Sequence, residues 1–167
     1  RRHSTNEVFL YDGTTTILIT NNCIGSCRPQ INNYGHIVWY GSDGNDQEIF
    51  LYDGSNTIQK TDTEYGDAYP DINDNKYIVW SGHDGPFPNE MEIYLNDGIA
   101  TTKLTDNDQH DRYAQINNNG YIVWQSNTET NLTEIFLYNG STTIQLTNNT
   151  YFYHFGPHIN NNGYVVW

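Results

Sequence analysis

One short pattern, repeated four times, governs what this chain can fold into. It pairs Ile with Asn and places Trp seven residues beyond the Asn: Ile31 to Trp39 (Ile-Asn-Asn-Tyr-Gly-His-Ile-Val-Trp), Ile72 to Trp80, Ile116 to Trp124 and Ile159 to Trp167. The tryptophans are 41, 44 and 43 residues apart. A second pattern runs Glu7 to Gly13, Glu48 to Gly54, Glu92 to Gly98 and Glu134 to Gly140, each followed by a Thr-rich stretch ending in Thr20, Thr61, Thr105 or Thr147. Cutting after each Trp divides the 167 residues into units 1–39, 40–80, 81–124 and 125–167 with nothing over. A fixed period of this size marks a repeat architecture, in which each unit covers its apolar faces only by stacking on its neighbours.

Within a unit the pattern is that of strands. Strand A ends at the Ile, a tight Asn/Asp/Gly turn follows, and Tyr-Ile-Val-Trp is strand B. Strand C is Glu-Ile-Phe-Leu-Tyr, alternating so that Ile49 and Leu51 face one side and Phe50 and Tyr52 the other. Asp53-Gly54 makes the C–D turn, and Ser55 to Thr61 is strand D. No helical apolar period runs for any useful length. Four strands per unit, repeated, predict an all-β chain folded as one β-propeller domain over residues 1–167, with four-stranded antiparallel blades.

The run Tyr69-Pro70-Asp71-Ile72-Asn73-Asp74-Asn75-Lys76-Tyr77-Ile78-Val79-Trp80, with Glu92-Ile93-Tyr94-Leu95-Asn96-Asp97-Gly98 and Leu104-Thr105, resembles TolB-type (WD-like) propeller repeats over essentially the whole chain. Where that family has Ser-Pro-Asp-Gly in the A–B turn, this chain is Asn-rich, as in Asn117-Asn118-Asn119-Gly120. Members are commonly six-bladed, and this chain supplies four units. The resemblance implies protein partners or envelope association, and it implies that any accompanying catalysis belongs to a separate domain. Because the chain opens with strands C and D and closes with A and B, the expectation is a ring closed by pairing the two ends; the alternatives are a piece of a larger propeller, or two chains sharing an eight-bladed ring.

Charge narrows the partners. Seven Lys and Arg against 20 Asp and Glu give a formal net charge of −13, which repels a phosphate backbone and excludes nucleic acid as the expected ligand. The longest apolar runs are four residues, such as Ile49 to Tyr52, far below the ~18 of a membrane-spanning helix. Cys23 and Cys27 lie four apart in a Gly-containing loop, where a disulfide would fit an exported protein. The start at Arg1-Arg2-His3 without Met reads as a processed or excised product. Asn131, Asn139 and Asn148 head Asn-x-Ser/Thr sequons, which matter only in a glycosylating host.

Strand direction places the short, uniform A–B and C–D turns on one face and the variable B–C and D–A connections on the other. Variable loops on a rigid scaffold are where function concentrates, so the second face is the expected binding surface. Tyr69, Tyr113 and Phe155 read as matching positions at the end of the D–A loop, where the first unit has Arg28. Together with Asp67 and Asp111 they are the candidate ligand-binding residues. Aromatic rings beside Asn and Asp suit sugars as well as protein segments. Asp43, Asn45 and Asp46 form an oxygen-rich stretch, the candidate Ca²⁺ site, although such an ion takes about six to eight oxygens. His110-Asp111-Arg112 and His83-Asp84 have no nucleophile to serve, and no elbow, phosphate loop or zinc-protease motif occurs.

The expected function is a non-catalytic module, extracellular, periplasmic or on the cell surface, that binds a protein partner, without cofactor unless Ca²⁺ is one. The alternatives are a lectin-like carbohydrate binder and a fragment of a polysaccharide-active enzyme. Self-association follows if the ring is completed between chains.

Overall fold

The structure, a computed structural model, describes residues 6–20, 27–86, 90–127, 132–148 and 151–167; Cys23 and the sequon asparagine Asn131 lie outside them. Every regular element among the described residues is a strand: β1 (Phe9–Tyr11), β2 (Thr16–Leu18), β3 (Gln30–Ile31), β4 (Ile37–Ser42), β5 (Gln47–Tyr52), β6 (Thr57–Gln59), β7 (Asp67–Ile72), β8 (Ile78–His83), β9 (Met91–Asn96), β10 (Thr101–Lys103), β11 (Asp111–Ile116), β12 (Ile122–Asn127), β13 (Thr133–Tyr138), β14 (Thr143–Gln145), β15 (His158–Ile159) and β16 (Val165–Val166). Among the described residues no helix is long and apolar enough to cross a membrane.

The strands form three four-stranded sheets, β3-β4-β5-β6, β7-β8-β9-β10 and β11-β12-β13-β14, flanked by two-stranded sheets β1-β2 and β15-β16. All pairings are antiparallel. Each full blade therefore joins strands A and B of one sequence unit to C and D of the next. The expected union of the two end sheets is not formed. β1-β2 and β15-β16 each stand as a separate two-stranded sheet.

Alternation in the strands becomes the core between blades. Val38, Tyr40, Ile49 and Leu51 of the first full blade pack on Ala68, Ile72, Ile78 and Trp80 of the second. Val79 and Ile93 of the second pack on Ala114, Ile116, Ile122 and Trp124 of the third. Val8 of the leading half-blade packs on Ile37 and Trp39. Each Trp thus faces the preceding blade, as expected of inter-blade packing, and also stacks on its cross-strand partner. The pairs Trp39–Phe50, Trp80–Tyr94 and Trp124–Phe136 have centroids 5.9, 5.7 and 5.9 Å apart. Such pairs add about 0.5–1.5 kcal/mol beyond burial. Trp167, the fourth, is 52% exposed, and its sheet β15-β16 has two strands, with no cross-strand aromatic for it to stack on.

Two polar devices explain the other repeated residues. In every unit the Glu opening strand C accepts a hydrogen bond from the Thr ending strand D, in the pairs Glu7–Thr20, Glu48–Thr61, Glu92–Thr105 and Glu134–Thr147. The same hydroxyl accepts from the backbone N–H of Val8, Ile49, Ile93 or Ile135. This ties the frayed end of strand D to strand C without lengthening the ladder.

The second device is the Asn-rich turn. The Oδ1 of Asn32, Asn73, Asn117 and Asn160 accepts two backbone N–H bonds within its own turn. The Nδ2 groups of Asn32, Asn73 and Asn117 each donate at 3.0 Å to the carbonyl of the corresponding Asn one blade on. A parallel set runs from the N–H of Asn33, Asp74 and Asn118 to the next blade's Asp74, Asn118 and Asn161 side chains, each at 2.9 Å. The turns are thus a hydrogen-bonded ladder across the blades, which Ser-Pro-Asp-Gly would not supply. Gly35, Gly120 and Gly163 take a left-handed φ there, and Lys76 adopts the same conformation at φ 65°.

Candidate functional site

β7 and β11 contact one another and the neighbouring blades, whereas β6, β10 and β14 pack chiefly within their own sheets, so the A strands form the crowded inner edge. Both inner strands carry a β-bulge: pairing slips between Ala68 and Asp71 against β8, and between Arg112 and Gln115 against β12. At each bulge a non-glycine residue is forced to positive φ, Tyr69 at 57° and Tyr113 at 59°, and Arg28 sits at 35°. A left-handed conformation at such residues costs on the order of 1 kcal/mol or more each. The bulge re-aims the side chain that the strand's alternation would otherwise fix.

The re-aimed side chains converge. Tyr69 and Tyr113 rings lie 4.5 Å apart, Tyr40 stands edge-on to Tyr69 at 5.5 Å, and the Arg28 guanidinium carbon is 5.3 Å from the centroid of Tyr69. Burial holds the Tyr69 phenol above its ordinary pKa. A cavity of about 450 Å³ opens beside them, lined also by Gln115, Gln125, Phe155 and His158. Gln125 Oε1 accepts from Gly156 N–H at 3.0 Å, and Gln115 Oε1 lies 3.2 Å from His158 Nδ1. The lining thus offers aromatic faces, amides, one guanidinium and one imidazole, and no carboxylate among the described residues.

Four of the six expected ligand-binding residues, Arg28, Tyr69, Tyr113 and Phe155, line this one cavity. The register needs one correction: counted back from the Ile-Asn pair, Gly156 (φ 60°), not Phe155, matches Tyr69 and Tyr113. Phe155 stands one residue earlier, 59% exposed, stacked on Tyr153 with centroids 5.8 Å apart.

Asp67 and Asp111 go elsewhere. Each is buried and lines a different cleft, beside Trp80 or Trp124. Asp67 Oδ1 accepts from the Trp80 indole N–H at 3.1 Å, and Asp111 accepts from Asn107 Nδ2 at 2.9 Å. Burial pushes the Asp67 carboxyl up to about 7 and also raises Asp111. Gly82 leaves room for Asp67, since a Cβ there would stand 2.0 Å from its Oδ1. Asp67 thus anchors Trp80, Asp111 lies beside Trp124, and neither is in the lining of the cavity.

The candidate cation stretch is brought together in a different combination. Asp43, Asp46 and Glu48 each place a carboxylate oxygen within 4.8 Å of the others. Asp43 Oδ1, however, accepts from the N–H of Asn45 at 2.8 Å, capping the loop's own turn, and both Glu48 oxygens accept from Thr61 and Thr63. Asp46 Oδ1, by contrast, is buried with no hydrogen-bond partner among the described residues. Lys103 pairs with Asp84 and Asp106, and His110 Nε2 pairs with Glu90.

No protein-family model matches the sequence, and no curated protein matches it. Solved structures do. The β-propeller domain of the trilobed protease from Pyrococcus furiosus superposes with a TM-score of 0.67 at 16% identity, over 89% of this chain and 45% of that one. Putative TolB from Agrobacterium tumefaciens gives 0.67 at 16% identity, over 87% and 58%. TolB from Acinetobacter baumannii gives 0.67 at 16%, over 91% and 39%. The chain has the β-propeller fold of these proteins, TolB among them, and spans between 39% and 58% of their length.

Proposed function

We propose that this chain is a non-catalytic binding module that takes an extended segment of a protein partner into the inner-strand cavity. The observation that carries the reading is the convergence of Tyr69 and Tyr113, from two successive A strands, and of Arg28 and Phe155, from the connections leading into β3 and β15, on one cavity. Its chemistry fits a peptide. Aromatic rings cover an apolar side chain, Gln30, Gln115 and Gln125 serve backbone amides, and Arg28 meets a carboxylate. The Tyr69 ring already lies against Tyr113, Tyr40 and Arg28, which favours a peptide over a sugar needing an open aromatic face. The described lining carries Arg28, His158 and two tyrosines and no carboxylate pair, which favours binding over hydrolysis of a glycosidic bond. The disulfide at Cys27 supports an oxidising, exported setting.

Selection of random peptides on the immobilised chain tests this. Enriched peptides should lose affinity about 10-fold or more, some 1.4 kcal/mol, on Tyr113→Ala. They should keep it on Asn75→Ala, which alters an exposed residue of the opposite turns. Failure of all peptides alongside saturable binding on a glycan array would replace the reading with the lectin one.

A further inference from the structure

Beside the tryptophan stacks, two adjacent blades carry matching clefts. One, of about 460 Å³, opens between the connection leaving β6 and the sheet β7-β8-β9-β10. The other, of about 300 Å³, opens between the connection leaving β10 and the sheet β11-β12-β13-β14. Thr61, Asp67, Trp80, Tyr94 and Thr101 of the first recur as Thr105, Asp111, Trp124, Phe136 and Thr143 of the second. Both volumes reach the range of small-molecule sites, about 300–1,000 Å³. Neither cleft shares a lining residue with the inner-strand cavity.

Each cleft holds a buried carboxyl that is short of a donor. Asp111 is 1% exposed; its Oδ2 accepts from Asn107 Nδ2 at 2.9 Å, and its Oδ1 has no partner among the described residues. The hydroxyls beside it give their protons elsewhere, Thr105 to Glu92 and Ser126 to Gln109 Oε1 at 3.0 Å. Asp67 is 2% exposed and holds the Trp80 indole on Oδ1, while its Oδ2 meets the Thr63 hydroxyl at the long distance of 3.4 Å. That hydroxyl has one proton and lies 2.6 Å from the Tyr65 carbonyl, which takes it. A buried acceptor without a donor is costly, and an O–H or N–H brought by a ligand relieves it.

The rest of the lining selects the ligand. Tyr94 and Phe136 are half-buried, so each keeps part of its ring open to the cleft, and the exposed hydroxyls of Thr101 and Thr143 stand on strand D. In the second cleft Asp111 is the one charged side chain among the described lining residues, far from the six to eight or so oxygens of a hard cation's shell. A pyranose brings what the lining asks for on one ring: O–H donors for the carboxyl, oxygens for the hydroxyls and amides, and an apolar C–H face for the aromatic. We propose that the two clefts are carbohydrate sites, each taking one neutral pyranose residue, with a sugar hydroxyl donating to Asp67 or Asp111 and the C–H face against Tyr94 or Phe136. These sites are independent of the peptide site on the inner strands. Because the cleft repeats from blade to blade, a glycan with a repeating residue gains avidity by reaching both.

Nuclear magnetic resonance of the isotope-labelled chain reads both clefts, since the Trp80 and Trp124 side chains line them. The probes are the methyl glycosides of glucose, galactose, mannose and N-acetylglucosamine, titrated to about 50 mM to capture millimolar affinity. Lysine amide, titrated alongside, stands for a basic protein segment. At least one glycoside should shift the Trp80 and Trp124 indole signals together and saturably, with the turns at Asn75 and Asn119 unmoved. Asp111→Asn keeps the side chain's shape and should weaken the Trp124 response about 10-fold or more while sparing that of Trp80. Thr143→Tyr, at an exposed position, should do the same by obstruction, and both variants should keep the circular dichroism spectrum. No glycoside moving either indole, shifts that survive both substitutions, shifts at Tyr113 and Gln115 in place of the indoles, or a response to lysine amide alone would overturn the proposal.

Discussion

Asn117 and Asn160 sit at the same place in successive copies of one turn, and replacing each by Ala separates the turn's own bonds from the bond between blades. Asn117 is 3% exposed; its Oδ1 accepts from Asn119 and Tyr121 N–H at 3.0 and 2.9 Å, and its Nδ2 donates to the Asn160 carbonyl at 3.0 Å. Asn160 makes the equivalent two turn bonds, to Asn162 and Tyr164 N–H at 3.0 Å, but it is exposed. Each hydrogen bond contributes about 1 kcal/mol net, and a buried partner left unpaired costs about 1–3 kcal/mol more. Asn117→Ala should therefore cost about 3–4 kcal/mol, and Asn160→Ala about 1 kcal/mol, since water replaces what it loses. Urea unfolding followed by tryptophan fluorescence gives both numbers. If the two substitutions cost the same to within about 0.5 kcal/mol, the rung between blades contributes nothing and the ladder argument fails.

Buried carboxyls make the chain's stability fall with rising pH. Burial raises Asp67 to about 7 and Asp71 to about 6, so the folded state holds protons that the unfolded state releases near pH 4. That contribution is complete below about pH 4 and is lost as pH climbs through 6 and 7. Exposed turn aspartates such as Asp53 and Asp97 are lowered by backbone N–H bonds and contribute in the opposite sense, above their ordinary values. The melting temperature should peak near pH 5 and decline toward pH 8, and Asp67→Asn should flatten the decline, gaining at most about 4 kcal/mol at pH 8. A melting temperature that rises steadily from pH 5 to pH 8 would contradict this. Gly82→Ala should destabilise by about 1–3 kcal/mol, because its Cβ would meet the Asp67 carboxylate at 2.0 Å. Gly66→Ala, with nothing nearer than 3.7 Å, is the neutral comparison in the same thermal melts.

Much of this architecture is legible in the residues because a repeat exposes its own rules. Alternation put Ile49 and Leu51 inside and left Phe50 and Tyr52 half-buried, as the structure has them. The spacing of Trp from Ile-Asn located every A–B hairpin. Strand D was read as Ser55 to Thr61, but its ladder covers only Thr57–Gln59, because Thr61 turns its hydroxyl to Glu48 instead. Matching aromatics by type misplaced Phe155; the backbone follows spacing, and Gly156 before Pro157 repeats Tyr69 before Pro70. Asp67 and Asp111 look like neighbours of the tyrosines, yet the bulge between them reverses which way each side chain points. The Asn-rich turns read as local turns, since nothing in one turn announces that its Nδ2 reaches another blade. No single unit encodes how the two ends of the array meet, and β1-β2 and β15-β16 stay separate sheets.

Hydrogen exchange with and without a selected peptide tests the central claim most directly, that recognition occurs on the inner strands. Added protection should appear at Arg28 and Gln30, from Tyr69 to Asp71 and from Tyr113 to Gln115, with the A–B turns at Asn32–Tyr34 and Asn117–Asn119 unchanged. Protection confined to those turns, or spread evenly over the chain, would contradict it.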